Sequence, residues 1–184
     1  MAVAERPPPT RRRALAALLA ALAACLISPL RDTGAQGVVR VVVIEGRTTR
    51  NYASETGTRV LERQTQTLTD VLENTRGVVL QFSPARTFRR NLGIADRAEG
   101  LWENEFAAGR LDVARAQESL RPIGAQVAVG LFFAPEIDAN IGGRTTVHVL
   151  DLDSGAVYTA HAAGKGDRFV SAFQQAFEQA LTHR

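Results

Sequence analysis

The chain has 184 residues, 45% hydrophobic and 22% charged, which suits one ordinary globular domain with a real core and excludes two large ones. Its formal charge of +3 reflects 22 basic and 19 acidic residues, but the first 25 positions hold Arg6, Arg11, Arg12 and Arg13 against Glu5 alone, so the remainder is balanced at eighteen of each. A neutral body argues against a nucleic-acid partner, and a single cysteine, Cys25, leaves no intramolecular disulfide.

Met1 to Arg13 is basic and Pro-rich, Ala14 to Ala24 is an unbroken run of eleven Ala and Leu residues, and Cys25 follows directly. A positive segment before an apolar stretch too short to span a bilayer is the layout of a secretory leader. Leu22, Ala23, Ala24 and Cys25 resemble the lipobox of bacterial lipoproteins, which would make Cys25 the lipidated first residue of the mature protein. Alternatively the apolar region continues through Leu26, Ile27 and Leu30, and cleavage falls near Ala35. On the first reading residues 1–25 are the leader, 26–37 a polar tether to the membrane and 38–184 the domain.

The run of β-branched residues from Val38 to Ile44, broken only by Arg40, predicts a first strand. Arg47 to Thr58 is polar and Thr-rich, a loop that ends in a helix start near Ser54 or Thr56. Val60, Leu61, Leu68, Val71 and Leu72 keep helical spacing on a helix that lies on a sheet, stopped by Asn74 and Gly77. Val78 to Phe82 is the second strand. Ser83 to Arg97 has no clear periodicity and carries Pro84, Gly93 and the cluster Arg86, Arg89, Arg90 and Arg97 near Phe88. Ala98 to Phe106 fits a short helix whose Leu101, Trp102 and Phe106 cap the core. Asp112 is placed to cap a helix over Val113–Leu120, which ends before Pro122.

Val127 to Phe133 is a continuous apolar run, short enough for a strand and buried on both faces. After a loop closed by Gly142 and Gly143, Thr145–Leu152 and Ala156–Ala162 are joined by Asp153, Ser154 and Gly155 into a hairpin. From Arg168 to Thr182, Phe169, Val170, Phe173, Ala176, Phe177, Ala180 and Leu181 share one face of a closing helix. The fold class is therefore α/β (α+β). A single mixed sheet of about five strands is expected, in the order β-α-β-α-β-β-β-α, with the helices packed on it.

Candidate chemistry is sparse. Asp151, Asp153 and Gly155 imitate the opening of a calcium loop, but Ala162 stands where its bidentate Glu belongs, so a turn is expected. Gly164, Lys165 and Gly166 imitate a phosphate loop without its first glycine, Thr159 standing there, and without its magnesium-binding hydroxyl. His148 and His161 lie on the two arms of the hairpin with Asp151 nearby, a pattern that suits cross-strand polar pairing better than a metal. Glu103 and Glu105, two apart on a helix, would point away from each other. No catalytic, cofactor or metal site is expected. Arg86, Phe88, Arg89, Arg90 and Arg97 form a candidate partner surface, since guanidinium groups hold carboxylates or phosphates bidentately.

The Ile123-Gly124-Ala125 turn after a short helix, the buried strand behind it and the Leu150–Tyr158 stretch LDLDSGAVY resemble the N-terminal domain of TolB-type periplasmic proteins. They equally resemble its relatives, the curli secretion lipoprotein, the flagellar assembly lipoproteins and the penicillin-binding-protein activators. The likeness covers Val38 to Leu181 in element order but only Arg121 to Leu181 in recognisable residues. Leu131, Phe132 and Phe133 replace the Gly-Ser step usual after the buried strand, and the Arg-rich middle section is a second departure. What the resemblance implies is a non-enzymatic envelope adaptor of a Gram-negative bacterium. It would be a periplasmic lipoprotein held in the outer or inner membrane through Cys25, with envelope proteins as partners and no cofactor. The alternative is a soluble periplasmic small-molecule-binding protein or hydrolase, with Asp138, Asp151 and His148 as the residues that would have to converge.

Overall fold

The structure is a computed structural model that describes residues 37–48, 55–86, 92–103, 109–134, 143–163 and 168–184. The leader with Cys25 lies outside them, as do Phe88, Arg89, Arg90, Asp138 and Lys165. In chain order the elements are β1 (Val39–Val43), β2 (Arg47–Thr48), α1 (Glu55–Glu73), β3 (Val78–Phe82), α2 (Leu92–Ala98), α3 (Val113–Leu120), β4 (Val127–Ala134), β5 (Arg144–Asp151), β6 (Val157–Ala163) and α4 (Phe169–Thr182).

One six-stranded mixed sheet organises them, in the spatial order β3-β1-β4-β5-β6 with the two-residue β2 added alongside β4. β1 runs parallel to both β3 and β4, whereas β4-β5 and β5-β6 are antiparallel. The parallel half follows from helical crossovers and the antiparallel half from the tight turn at Asp153–Gly155. Alternation along the strands then splits the core in two. Val41, Val43, Val127, Val129, Leu131, Phe133, Val147 and Val149 face α1 and α4, while Val42, Ile44, Ala128 and Leu150 face α2, α3 and the segment around Leu101 and Leu111. We call these the inner and outer faces.

The inner face is the larger. Phe169, Ala172, Phe173, Ala176, Phe177 and Ala180 of α4 are all buried against it, and each fully buried Phe contributes about 1.5–3 kcal/mol relative to exposure. The outer layer is thinner, because α2 spans seven residues and α3 eight, against nineteen for α1 and fourteen for α4. Close approach is needed there. A Cβ on Gly130 would lie 3.0 Å from Ile44 Cδ1 and 3.0 Å from Trp102 Cζ2, so glycine is what lets the tryptophan lie against the strand.

Three segments differ from the sequence expectation. Arg47 and Thr48, read as loop, form β2, whose pairing to Phe132 and Phe133 is too short to leave a pattern. Leu92 to Ala98, inside the unpatterned section, is helical. Leu101 and Trp102 are not in a helix. Trp102 bridges Leu111, with Glu103 N donating to Arg110 O at 2.8 Å and Asp112 N to Leu101 O at 2.8 Å. Where a helix was expected, Leu101 and Trp102 belong to a strap that pairs with Leu111 and caps the outer core, and Phe106 lies outside the described residues. Asp112 does cap α3, its Oδ1 accepting from Arg115 N at 3.0 Å.

A buried polar pair ties α1 to β5 within the inner core. Gln64 on α1 donates Nε2 to Thr145 Oγ1 at 2.9 Å, and that hydroxyl donates back to Gln64 Oε1 at 3.0 Å; both residues are buried. Removing either partner strands the other without water, at about 1–3 kcal/mol, whereas removing both is close to neutral. Gln64→Leu and Thr145→Val are therefore expected each to destabilise by about 1–3 kcal/mol, and the double variant by less than the sum. Urea unfolding of the four proteins checks this; strict additivity would show that the pair is not coupled.

Candidate functional site

The outer layer stops short of the edge strand. α2, α3 and the strap formed by residues 101–103 and 109–111 belong to a layer whose core reaches Leu150 of β5, but the outward side chains of β6, Val157, Thr159, His161 and Ala163, are exposed. Arg144 and Thr146 of β5 share that face, by their pairing with Ala163 and His161.

His148 sits at the boundary between covered and bare sheet. Its Cα partners are Gly130 on β4 and Thr159 on β6. Gly130 leaves the space that Trp102 fills, and the indole meets the imidazole edge-on at 5.7 Å between centroids. Trp102 also packs against Phe132 at 6.1 Å and donates Nε1 to Glu45 O at 2.9 Å. The strap is held close by Gly109, where φ is +56° and a Cβ would lie 2.3 Å from Phe132 Cγ, a position open only to glycine.

The two hairpin histidines are diagonal neighbours, not a facing pair. His148 Nδ1 lies 3.3 Å from Thr159 Oγ1, and His161 Nδ1 lies 3.0 Å from Thr146 Oγ1. Each imidazole is thus bonded to the threonine directly across from it, as the alternation of the hairpin suggested. Burial pushes the His148 ring down to about 4 from its ordinary 6.5, and the nearby His161 acts in the same direction. The Gly109 carbonyl opposes that shift, yet His148 Nε2 has no hydrogen-bond partner among the described residues.

The other candidates fall elsewhere. Asp151 is buried beside the inner face, three residues along β5 from His148 and therefore on the opposite side of the sheet. Its Oδ1 accepts from Asp153 N at 2.8 Å, Gly155 N donates to its carbonyl at 2.8 Å, and Arg184 Nε lies 3.6 Å from Oδ2. Arg184 also pairs with Asp153, and His183 stacks on Tyr158 at 5.8 Å. The calcium-like motif is thus a turn stitched to the end of α4. Among the described residues no three His, Cys, Asp or Glu side chains are grouped to hold a metal.

Arg86 and Arg97 are bonded to different elements. Arg86 Nη2 lies 2.6 Å from Asp70 Oδ1 and 2.7 Å from Glu73 Oε2, with Nε 3.1 Å from Glu73 Oε1; these bonds, Glu73 first, raise its pKa further. Arg86 therefore ties the end of β3 to α1. Arg97, on α2, donates Nη1 to Ser119 O at 3.3 Å.

An open crevice of about 690 Å³ lies past the carboxyl ends of β1 and β3, between α1 and α2. Ligands of open α/β sheets occupy such positions. Glu45, Arg47, Thr48, Glu62, Phe82 and Glu99 are among its lining, but His148 and Asp151 are not. Arg47 spends Nη1 on Glu103 O at 3.1 Å, and Thr48 Oγ1 is buried without a partner among the described residues.

These observations define an α+β domain with a mixed sheet and an open antiparallel hairpin. No protein-family model matches the chain, and neither does any curated protein. Solved structures that it resembles include the LpoB C-terminal domain from Escherichia coli, at 13% identity and a TM-score of 0.46 over 73% of this chain and 87% of that one. The LpoB C-terminal domain from Salmonella enterica follows at 17% and 0.41 over 71% and 85%. The PelC dodecamer from Paraburkholderia phytofirmans gives 15% and 0.34 over 80% and 89%. At these identities and TM-scores the likenesses assign neither partner nor activity, and the structures named are not TolB domains.

The buried imidazole generates a pH prediction. Folded His148 stays neutral down to about 4, whereas the unfolded chain takes up the proton below the ordinary 6.5. Its burial therefore costs no stability above 6.5 and progressively more as the pH falls towards 4, on the order of 3 kcal/mol in full. Urea unfolding at about pH 7.5 and about pH 4.5 is expected to show a larger acid loss in the wild type than in His148→Gln. Equal losses would remove His148 from the acid response.

Proposed function

We propose that this is an exported, lipid-anchored, non-enzymatic envelope protein that acts as an adaptor through protein contacts, with the outer side of the β5-β6 hairpin as its contact surface. The observation that carries the reading is the bare outer side of β6: the outer layer covers the sheet as far as His148 and Leu150 of β5 and leaves Val157, Thr159, His161 and Ala163 exposed. A rigid strand pair offering alternate side chains and main-chain groups is a recognition device that needs no special chemistry. The leader, the lipobox-like Leu22–Cys25 segment and the TolB-type hairpin residues support export and anchoring in the envelope. The separation of Asp151 from His148 across the sheet speaks against a hydrolase built from them.

The segment bearing Arg86, Phe88, Arg89, Arg90 and Arg97 is proposed as a subsidiary contact, with Arg86 anchoring its root to α1. A second reading, a small-molecule-binding protein, is favoured by the crevice beside Thr48. The two readings place their sites at different ends of the sheet, so surface substitutions separate them.

Thr146→Arg puts a long cation on the hairpin face from β5, at the cost of the bond between Thr146 and His161 of β6. Partners recovered from crosslinked envelopes are expected to be lost with this variant while its circular dichroism is unchanged; an undiminished set would eliminate the face. Intact mass of the mature protein from its own membranes is expected to begin at Cys25 with acyl mass, absent in Cys25→Ser. A soluble species cut near Ala35 would instead return weight to the ligand-binding reading.

A further inference from the structure

Among the described residues the edge of the hairpin is unpaired. Asp151 N donates to Ala156 O at 2.9 Å, and the β5-β6 register runs without interruption from Leu150↔Val157 to Arg144↔Ala163. In an antiparallel pair the directly bonded positions alternate. The main-chain groups of Tyr158, Ala160 and Ala162 therefore point at β5, and those of Val157, Thr159, His161 and Ala163 point away from the sheet. β6 pairs with β5 alone among the described residues.

Proteins guard such edges with Lys, Pro, bulges or very short strands. β6 has none of these: its seven residues, VYTAHAA, hold no Asp, Glu, Lys, Arg or Pro. The opposite edge is guarded. β3 spans five residues, its pairing to β1 slips at Val41/Val42, Arg76 stands just before it, and the amide of Val78 is taken by Thr75 O at 3.2 Å. An unguarded edge on one side only is evidence that something occupies it.

We infer that β6 pairs with β6 of a second copy of this chain, antiparallel about a twofold axis at Ala160, fusing two sheets into one. This rests on the reading of the hairpin as the contact surface and names the first partner of its edge. The axis follows from register. Thr159 then lies opposite His161 of the second copy, and Val157 opposite Ala163, so every outward-facing residue meets another and exchanges both of its bonds. Any other axis along the strand leaves some of these groups unmatched.

Side chains agree with this pairing. Ala160 meets Ala160 at the axis, and Tyr158 stands opposite the small Ala162. No charge is brought against its like within the strands. The helix that covers β6 does not oppose it either, since the exposed residues of α4 are Ser171, Gln174, Gln175, Glu178, Gln179 and Thr182, with one charge among them. An isologous contact of this kind closes on itself and cannot propagate into fibres. The fused sheet would present two hairpin faces side by side, which doubles the surface proposed above.

The test is the mass of the full chain in a Cys25→Ser background at micromolar concentrations, by light scattering after size exclusion. A dimer is expected for this protein. Thr159→Lys sets two ammonium groups near the axis and is expected to weaken the dimer by roughly tenfold or more. As a register check that does not depend on folding of that variant, Thr159→Cys chains mixed with His161→Cys chains are expected to form a disulfide dimer faster than either alone. A monomer in the parent protein, or a dimer indifferent to Thr159→Lys with no mixed-disulfide preference, would overturn the inference. If the parent is monomeric while Thr146→Arg still abolishes partner recovery, self-pairing falls and the adaptor reading stands. If the parent is dimeric and partners are indifferent to Thr146→Arg, the reverse holds.

Discussion

Burying both faces of β4 is the constraint on which the rest of the fold depends. Val127 to Leu131 are buried without exception, which no single layer of helices can achieve, so the chain must supply cover on two sides. It does so unequally. α1 and α4 are long enough to blanket the inner face, whereas the short α2 and α3 belong to an outer cluster that reaches Leu150 of β5 and stops before β6. The bare hairpin is the remainder of that allocation. Because β5 and β6 are joined by a tight turn and need no crossover helix, nothing in their connectivity brings a second layer over them.

That allocation also decides what the polar residues can do. Along β5 the side chains alternate between a face closed by α4 and a face that is half open, so neighbours in sequence live in different solvents. Asp151 falls on the closed side and is consumed by its turn and by Arg184. His148 falls on the other, pressed under Trp102 and held neutral by burial. A carboxylate and an imidazole three residues apart look like an acid-base pair on paper. Strand geometry keeps them on opposite sides of the sheet.

The elements legible in the sequence were those whose period exceeds a few residues. α1, α3, α4 and the strands β1, β3, β4, β5 and β6 each carry enough apolar repeats or capping signals to be read, and Asp112 caps where its chemistry said it would. What was missed has a physical reason in each case. β2 is two residues whose strand character comes wholly from Phe132 and Phe133 across the gap. Leu101 and Trp102 have helical spacing relative to Phe106, but their pairing to Leu111 is set by a glycine, Gly109, that lets the strap close on Phe132. Arg86 looked free within a cluster, yet its carboxylate partners lie on a helix many residues earlier. The Thr-His pairing could be anticipated from the hairpin, but the crevice beside Thr48 could not, because its walls come from four separate segments.

The difference between the two sheet edges lies at a further remove from the sequence. VYTAHAA carries no sign that it ends a sheet, since an interior strand could have the same residues and would need no guard. Only strand order turns its lack of charge into an unguarded edge. The same seven residues paired on both sides would be ordinary, whereas at an edge they present a row of donors and acceptors to water. On the helix-covered side the small Ala160 and Ala162 pack in one core cluster with the buried residues of α4. The exposure of β6 as an edge is therefore a property of topology, and the proposed association of the hairpin rests on it.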